Sequence, residues 1–447
     1  MSTKAIYLAP EQLCIGIYVH LDLNWLEHDF ARNSFKIKTA EQLAQLKRLG
    51  LKRIRVDPVR SDARPLPAIS TGNGASSMNA DGTVKNQSEI EAEIEAESAI
   101  AGQAVEESPA MLAKRERIDR IAKQRAAVAQ CEAQFLKAAT ALKSINTNLF
   151  SRPAAALESA EQLIQQMLDS ILTDKDIAIH LMNDKVAGEE MYFHSLNVAV
   201  LAMMLARQLA MPAEDIKQLG VGCLFHDIGK LDIPDRVRMK TEPHTRAERN
   251  LMQQHPQYGL GMAAKLGLSR EAADIVAQHH EHIDGSGYPH QLKGSQISPL
   301  ARVVAIVNTY DNLCNQPNFA DSVSPYEALS QMFAQQRQHF DAGPLTTFIH
   351  CMGVYPPGTI VRLSDDTLGM VVSVNASKPL RPSILIYDAA VPKSEAIIID
   401  LMTEPEVNVA ASLKPAQLPR EVYDYLSPRK RTTYYLDAPK KGQTARS

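Results

Sequence analysis

Cysteine is scarce in this sequence, and its positions exclude the usual roles of clustered thiols. The 447 residues contain five cysteines, an odd number, and no two of them have the Cys-x-x-Cys spacing. A disulfide framework needs paired cysteines in a small secreted chain, and a zinc ribbon needs closely spaced pairs. We therefore expect thiols that are buried or inert. They are Cys14, Cys131, Cys223, Cys314 and Cys351.

The sequence also lacks a strong excess of charge and a long apolar segment. The formal net charge of -3 provides no broad cationic field, so DNA is not expected as a partner. No run of about 18 apolar residues occurs that could span a membrane. The first residues do not form a basic flank followed by an apolar run, as a secretory signal does. These absences predict a cytoplasmic protein without a membrane span.

The composition changes along the first third of the chain and predicts three segments. Residues 1–60 mix short β-like runs with one helical stretch, which Thr39 can cap, and they predict a small α+β module. Residues 61–110 are rich in Gly, Ser, Asn and Glu, which is typical of a disordered acidic linker. Strong helix formers dominate residues 111–150, where we expect a connecting helix.

The remaining chain changes from a helical to a β period. Residues 151–352 have an almost wholly helical pattern, broken by Gly and Pro, and predict a helix bundle with short connections. Residues 353–437 alternate with a period of two and predict a β-rich extension, followed by a disordered tail at 438–447. The expected fold class is mainly α, with small β-containing segments on either side of the bundle.

Histidines and carboxylates recur in the helical segment in a pattern that suits metal ions. Glu190 and His194 are four residues apart, so a helix presents both on one face. His226 is followed by Asp227, whose two oxygens can bridge two ions while His226 binds one of them. Imidazole and carboxylate together suit transition metals such as iron, manganese, nickel or zinc. The other candidate ligands are His255, His279 and His280.

A centre of this kind could hydrolyse a phosphodiester, although each of its residues could also have a purely structural role. Two neighbouring ions can clamp a phosphodiester and make water reactive near neutral pH. Lys230 stands one turn after His226, where its ammonium could neutralise a phosphate oxygen. An isolated histidine is more often a core or surface residue, and Lys230 alone would be a solvated charge. The adjacent His-Asp and His-His pairs favour the metal centre.

The order of these motifs resembles the HD-GYP phosphodiesterases, a branch of the HD metal-dependent phosphohydrolases. The chain contains HSLNVA, HDIGKLDIPD, HPQYG, HHEHIDGSGYP and ARVVAI in this order. The His-Asp pair alone is a weak signal for this family, but several independent motifs that follow one another in the family's order are a strong one. The first 60 residues also resemble the small domain that often precedes HD-GYP domains, and this resemblance implies a regulatory role.

The resemblance implies a role for each matching residue. It implies hydrolysis of cyclic di-GMP to the linear dinucleotide, and further to GMP as an open alternative, with two or three divalent ions, iron or manganese first. Asp227 and Lys230 would be catalytic, with Asp227 the bridge between ions and Lys230 also in contact with phosphate. The implied metal ligands are Glu190, His194, His226, Asp227, His255, His279, His280 and Asn308. The implied substrate contacts are Lys230, Asp284, Gly285, Gly287, Tyr288, Pro289 and Arg302.

The chain departs from the family pattern in the segment after ARVVAI. Family members usually carry an aspartate ligand where this chain has Asn308, and an arginine where it has Pro317. An amide oxygen can bind a metal but brings no charge, so metal affinity should change. Asp311, about one helical turn further on, could substitute for the missing carboxylate, although it more often matches a second acidic position of the family motif.

The departure at Asn308 keeps two other functions open. A degenerate domain would bind cyclic di-GMP or a protein without cleaving it, and a related hydrolase would act on another nucleotide or cyclic dinucleotide. The Gly-Tyr-Pro loop weighs against the second reading. Expected partners are cyclic di-GMP, GGDEF-type or other signalling proteins at that loop, and a second copy of the chain in a homodimer.

Overall fold

The structure is a computed structural model of a chain that divides into two compact units. It describes residues 6–23, 30, 34–67, 109–173, 178–182, 190–316, 318, 321–375, 378–389, 391–393, 396–426 and 432–437. The units are Met1–Ala122 and Lys123–Ser447, and each is described by itself. Most of the predicted linker 61–110, and all of the predicted tail 438–447, lie outside the described residues.

Residues 6–57 of the first unit form a four-stranded antiparallel sheet and one helix, which is the α+β class that the sequence predicts for this segment. Thr39 caps this helix, because its hydroxyl oxygen accepts a hydrogen bond of 3.2 Å from the Gln42 backbone N–H. Buried apolar residues such as Ile17, Val19 and Leu46 form a small core of its own. The elements are β1 (Ile6–Leu8), β2 (Tyr18–His20), β3 (Ser34–Lys36), α1 (Ala40–Arg48) and β4 (Ile54–Asp57), in sheet order β1-β4-β2-β3.

The second unit is mainly helical and confirms the predicted fold class. A 40-residue helix precedes the bundle, and its later part packs into the bundle core from Cys131 onwards. The helices are α2 (Pro109–Asn148), of which residues 123–148 belong to this unit, α3 (Pro153–Thr173), α4 (Glu190–Gln208), α5 (Ala213–Phe225), α6 (Asp235–Arg238), α7 (Arg246–Met252), α8 (His255–Leu266), α9 (Arg270–Gln278), α10 (Pro299–Cys314), α11 (Pro325–Ala334), α12 (Ala342–Met352) and α13 (Arg420–Leu426).

Helix α4 runs through the middle of this bundle. Every residue from Val198 to Ala206 is buried, and a helix that is apolar on all sides needs neighbours all around it. Helices α3, α5, α10 and α12 provide them. Because its C-terminal two thirds are held on every side, the first turns of α4, which carry His194, have a defined place in the bundle.

The second unit also contains a seven-stranded antiparallel sheet, built mostly from the C-terminal part of the chain. Its path is β10-β6-β7-β5-β11, while β8 pairs with β7 and β9. Strand β5 interrupts the segment that the sequence pattern predicts as helical, and it pairs with both β7 and β11. The strands are β5 (Ala178–Leu181), β6 (Ile360–Leu363), β7 (Leu368–Asn375), β8 (Ser383–Ile386), β9 (Ile398–Asp400), β10 (Val409–Leu413) and β11 (Tyr434–Asp437).

No helix among the described residues combines the length and the apolar character that crossing a bilayer requires.

Candidate metal centre

Five histidines from four regions of the second unit meet around one carboxylate. The side chains come from the first turns of α4, the end of α5, the start of α8 and the end of α9. Asp227 belongs to two groups whose possible ligand atoms lie within 4.8 Å of one another. The groups are Asp227 with His255, His279 and His280, and Asp227 with His194 and His226. The cluster is able to bind metal.

The two oxygens of Asp227 face different histidines. Oδ1 lies 3.3 Å from His255 Nε2 and 3.7 Å from His279 Nε2. Oδ2 lies 3.6 Å from Nε2 of both His194 and His226. A carboxylate that presents one oxygen to each group has the geometry to bridge two ions.

Hydrogen bonds to backbone carbonyls fix which nitrogen of each buried ring faces the centre. His226 Nδ1 lies 2.7 Å from the Cys223 carbonyl oxygen, and His255 Nδ1 lies 2.7 Å from that of Met252. His279 Nδ1 lies 3.0 Å from the Val276 carbonyl oxygen. A carbonyl only accepts, so Nδ1 carries the proton and the Nε2 lone pair of each ring points inward.

These lone pairs face one another at a spacing that suits a cation. His194 Nε2 lies 3.1 Å from His226 Nε2, and His255 Nε2 lies 3.1 Å from His279 Nε2. Two nitrogens bound to one ion at about 2.1 Å and at a right angle would be about 3.0 Å apart. Asp227 Oδ1 is buried and accepts no hydrogen bond from the described residues. The residues present therefore fit metal ions, which would satisfy all of these atoms.

The protonation states also fit metal binding. Burial is the largest cause that lowers the pKa of His226 and His280 well below the ordinary value, and it lowers that of His279 as well. Burial alone would raise the pKa of Asp227, but the neighbouring Lys230 ammonium and His226 outweigh it and hold that pKa well below its usual range. Neutral imidazoles and an ionised carboxylate are the forms that bind cations.

Lys230 lies at the same carboxylate. Its Nζ is 2.5 Å from Asp227 Oδ2, and its side chain is about one quarter exposed. The ammonium is therefore beside the centre, where the sequence predicts its contact with a phosphate oxygen.

A contact between two glycines brings two of the motifs together. Gly229, in the turn after Asp227, lies so close to helix α8 that a Cβ there would be 2.0 Å from the His255 carbonyl oxygen and 2.4 Å from the Gly259 nitrogen. Side chains at this contact would separate the backbone segments that carry Asp227 and His255. The glycines of HDIGK and HPQYG thus serve the approach of the ligands.

The segment after His280 turns back towards it, and the Tyr288 N–H donates to the His280 carbonyl oxygen (3.1 Å). Glu281 is 1% exposed, and its carboxylate accepts from the backbone N–H groups of His290 (2.6 Å) and Leu292 (2.9 Å). A Cβ on Gly287 would be 2.5 Å from the His280 carbonyl oxygen, so close backbone approach explains this glycine. The positive φ of +82° belongs instead to Gly285.

The same loop holds three more predicted substrate contacts, Asp284, Tyr288 and Pro289, and the remaining one, Arg302, lies on α10. The Tyr288 ring stacks on His280 with centroids 4.5 Å apart, and Pro289 follows in a cis peptide bond. Asp284 Oδ1 accepts from the Ser286 N–H (2.9 Å) and hydroxyl (2.6 Å), and both residues are exposed. Arg302 forms an ion pair of 2.7 Å with Asp341.

Two of the predicted ligands, Asn308 and Glu190, do not belong to either group of possible ligand atoms among the described residues. Asn308 is 2% exposed on α10, and its Oδ1 accepts a hydrogen bond of 3.0 Å from the Asn312 side chain. Glu190 begins α4, but its side chain lies outside the described residues, as does the whole of Pro317.

Asp311 lies against His194, outside the two groups of possible ligand atoms. Its Oδ2 lies 2.5 Å from His194 Nδ1, and its Oδ1 accepts from the side chains of Asn197 and Asn315. Both oxygens are engaged, so Asp311 orients the ring of His194 and is not available to replace Asn308. Sequence reasoning missed the two asparagines and Glu281, although Asn197 and Glu281 stand inside the recognised motifs.

Three protein families match the chain. The HD domain matches residues 166–343, a domain of unknown function (DUF3391) matches residues 6–180, and a KOW domain associated with the HD domain matches residues 360–421. Together these matches follow the bundle, the segments before it and most of the strands after it.

Similar proteins are named as cyclic-dinucleotide phosphodiesterases. A cyclic di-GMP phosphodiesterase of Pseudomonas aeruginosa is 29% identical over 412 residues, which cover 91% of this chain and 91% of the relative. A 3′3′-cGAMP-specific phosphodiesterase of Vibrio cholerae is 30% identical over 181 residues, which cover 40% of this chain and 35% of the relative. Among solved structures, an HDG"Y"P protein from Bdellovibrio bacteriovorus aligns with a TM-score of 0.39 and 13% identity, over 77% of this chain and 98% of that chain.

The histidine-aspartate centre and most of the helical bundle lie within the segment that matches the HD domain. Over most of its length, the chain is similar to a cyclic di-GMP phosphodiesterase, which agrees with the resemblance of its motifs to the HD-GYP phosphodiesterases.

Proposed function

We propose that this chain is a metal-dependent phosphodiesterase that hydrolyses cyclic di-GMP. Water attacks one phosphorus, the bond from phosphorus to the 3′ oxygen breaks, and that oxygen takes up a proton, which yields the linear dinucleotide pGpG. A second hydrolysis would give GMP. The observation that carries the proposal is Asp227, a buried carboxylate with one oxygen directed to each of two histidine groups.

Two or three divalent ions, with iron or manganese as the first candidates, would be held by these residues. His194 and His226 would share one ion with Asp227 Oδ2, and His255, His279 and His280 would share another with Asp227 Oδ1. Asn308 and Glu190 complete the proposed set. Bound ions would supply Lewis acidity and a water of lowered pKa.

The protein groups around the centre would bind and orient the dinucleotide. Lys230 would neutralise a phosphate oxygen, and the loop from Asp284 to Pro289 would line the pocket, with Tyr288 packed on His280. Arg302 would support this pocket through its ion pair with Asp341. The exposed residues Asp284 and Ser286 also leave the loop accessible to a GGDEF-type or other signalling protein.

A turnover assay on metal-loaded protein tests this function. We expect anaerobically purified protein, loaded with Fe²⁺ or Mn²⁺, to convert cyclic di-GMP to pGpG, as followed by chromatography. Binding of cyclic di-GMP without product, by protein of measured metal content, would instead establish a receptor. The similarity to a cGAMP-specific enzyme makes 3′3′-cGAMP the necessary second substrate in the assay. Faster cleavage of 3′3′-cGAMP would overturn the assignment of cyclic di-GMP.

The substitution Asn308→Asp tests the unusual position on α10. We expect it to raise the affinity for Mn²⁺ about tenfold and to increase turnover at limiting metal, because a carboxylate adds a negative charge to the ligand set. Its oxygen can keep the hydrogen bond from Asn312. Asn318→Asp adds the same charge at an exposed position and is the control. Equal affinity in the Asn308→Asp variant and the wild type would remove this position from the ligand set.

We further propose that the protein acts in the cytoplasm and forms a homodimer along α2. This helix is 40 residues long, and Leu136 on it is 39% exposed although its neighbours Phe135 and Ala138 are buried. Sedimentation of the full chain would show a monomer if this part of the proposal is wrong.

A further inference from the structure

The carboxylate of Asp311 depends on two asparagine side chains. Asp311 is 1% exposed, and its Oδ2 holds Nδ1 of His194, a proposed metal ligand. Its Oδ1 accepts from Asn197 Nδ2 and, at 2.9 Å, from Asn315 Nδ2. A buried carboxylate needs such donors, so the two amides determine where Asp311 stands.

The same two amides also hold the chain just before strand β11. Asn315 Nδ2 donates to the Thr432 carbonyl (2.9 Å), and Asn315 Oδ1 accepts from the Thr432 N–H (2.7 Å). Asn197 Nδ2 lies 3.4 Å from that carbonyl, and its Oδ1 accepts from the Tyr434 N–H (2.7 Å). The backbone partners include both donors and acceptors, which leaves only one orientation for each amide.

Tyr434 fastens this segment in the bundle core. The residue is fully buried, its hydroxyl lies 2.7 Å from that of Tyr310, and it donates to the Pro357 carbonyl (3.0 Å). Strand β11 pairs with β5, so the segment is bound by backbone as well as side-chain contacts. Tyr310 directly precedes Asp311 on α10. The contact of Tyr434 with Tyr310 and the hydrogen bonds of the two amides to Asp311 therefore involve the same turn of this helix.

We propose that the C-terminal segment Thr432–Tyr434 is a structural part of the metal centre, and that Asn315 and Asn197 are positioning residues that transmit its placement to His194. The path runs from the Thr432 and Tyr434 backbone through the two amides to Asp311 and then to His194 Nδ1. A carboxylate on the outer nitrogen of a metal-binding histidine fixes the ring and raises its basicity. The inference rests on the proposed function only in taking His194 as a metal ligand.

The substitution Asn315→Ala in the full chain tests this path. We expect the affinity for Mn²⁺, measured by competition with a fluorescent chelator, to fall about 10-fold or more, as loss of an outer partner of a metal ligand typically causes. Turnover should recover at saturating Mn²⁺, because no residue that contacts substrate is changed. Asn318→Ala, at an exposed position beyond the end of α10, should bind Mn²⁺ like the wild type. Unchanged affinity in a folded Asn315→Ala variant would refute the path.

Substitutions of two neighbouring tyrosines distinguish an effect of the segment Thr432–Tyr434 on metal affinity from a general loss of stability. Tyr434→Ala removes the anchor and should weaken Mn²⁺ binding several-fold, whereas Tyr435→Ala removes a ring that packs on Phe135 and should leave affinity unchanged. If Tyr434→Ala does not fold, Tyr434→Phe removes only the hydroxyl contacts and should show a smaller loss of the same kind. Equal affinity in the folded Tyr434 variant and the wild type would confine the path to α4 and α10 and overturn the role of the segment.

The affinity measurement also separates this inference from the proposed function. A wild-type protein that binds Mn²⁺ but releases no pGpG would contradict the phosphodiesterase assignment and leave the positioning path intact. If the wild-type protein hydrolyses cyclic di-GMP but the Asn315→Ala and Tyr434→Ala variants bind Mn²⁺ with unchanged affinity, the phosphodiesterase assignment stands and the positioning path is refuted.

Discussion

Replacing Asp227 with alanine is expected to abolish hydrolysis of cyclic di-GMP and to release the bound metal. The carboxylate is the one group shared by the two clusters, and its oxygens lie 3.3 to 3.7 Å from Nε2 atoms of four histidines. Without it, the negative charge that would compensate bound cations is lost from a buried site. Bound ions would lower the pKa of water to about 7, and without them that pKa would return to its much higher value in bulk, so turnover should fall by at least about 10³-fold.

Metal analysis and chromatographic detection of pGpG on the same sample check this result. Asp232→Ala is the matched control, because Asp232 follows in the same turn but is exposed, and it should retain metal and turnover. Combining Asp227→Ala with His226→Ala should add nothing to the loss. Turnover by the Asp227→Ala protein at the wild-type rate would remove the cluster from the mechanism.

Replacing Gly229 with alanine should disturb the fold and the centre together. The new Cβ would be 2.0 Å from the His255 carbonyl oxygen and 2.4 Å from the Gly259 nitrogen, and both are backbone atoms that cannot rotate away. Overpacking of this kind typically costs about 1–3 kcal/mol, and relief by separation of the segments would move His255 away from Asp227. We expect a lower free energy of unfolding and a loss of bound metal.

Gly261→Ala provides the control on α8, the helix that Gly229 contacts. A Cβ at this position meets no described atom within 4 Å, and alanine in place of glycine inside a helix stabilises it by up to about 1 kcal/mol. Denaturant unfolding of both variants, with metal content measured in parallel, should show opposite changes in stability. Equal stability of the Gly229→Ala protein and the wild type would show that the two segments are not in the contact described.

The local part of the centre follows from the sequence. Glu190 and His194 are separated by one helical turn, and Asp227 directly follows His226, so these pairs can be recognised without a structure. The helical and β periods likewise predict the bundle, the N-terminal module and the β-rich extension, since each period reflects which side of one element is buried. The family motifs then select hydrolysis from among the functions that such clusters serve.

Other features depend on which distant segments pack together, and no local pattern contains that information. Asp311 contacts His194 across 117 residues, and the sequence alone does not distinguish a carboxylate that binds a metal from one that orients a proposed metal ligand. Asn315 and Thr432, also 117 residues apart, meet because β11 joins a sheet with β5. A hydrogen bond depends on distance and direction in space, whereas the sequence specifies neighbours only along the chain, within a helical turn or across a short hairpin.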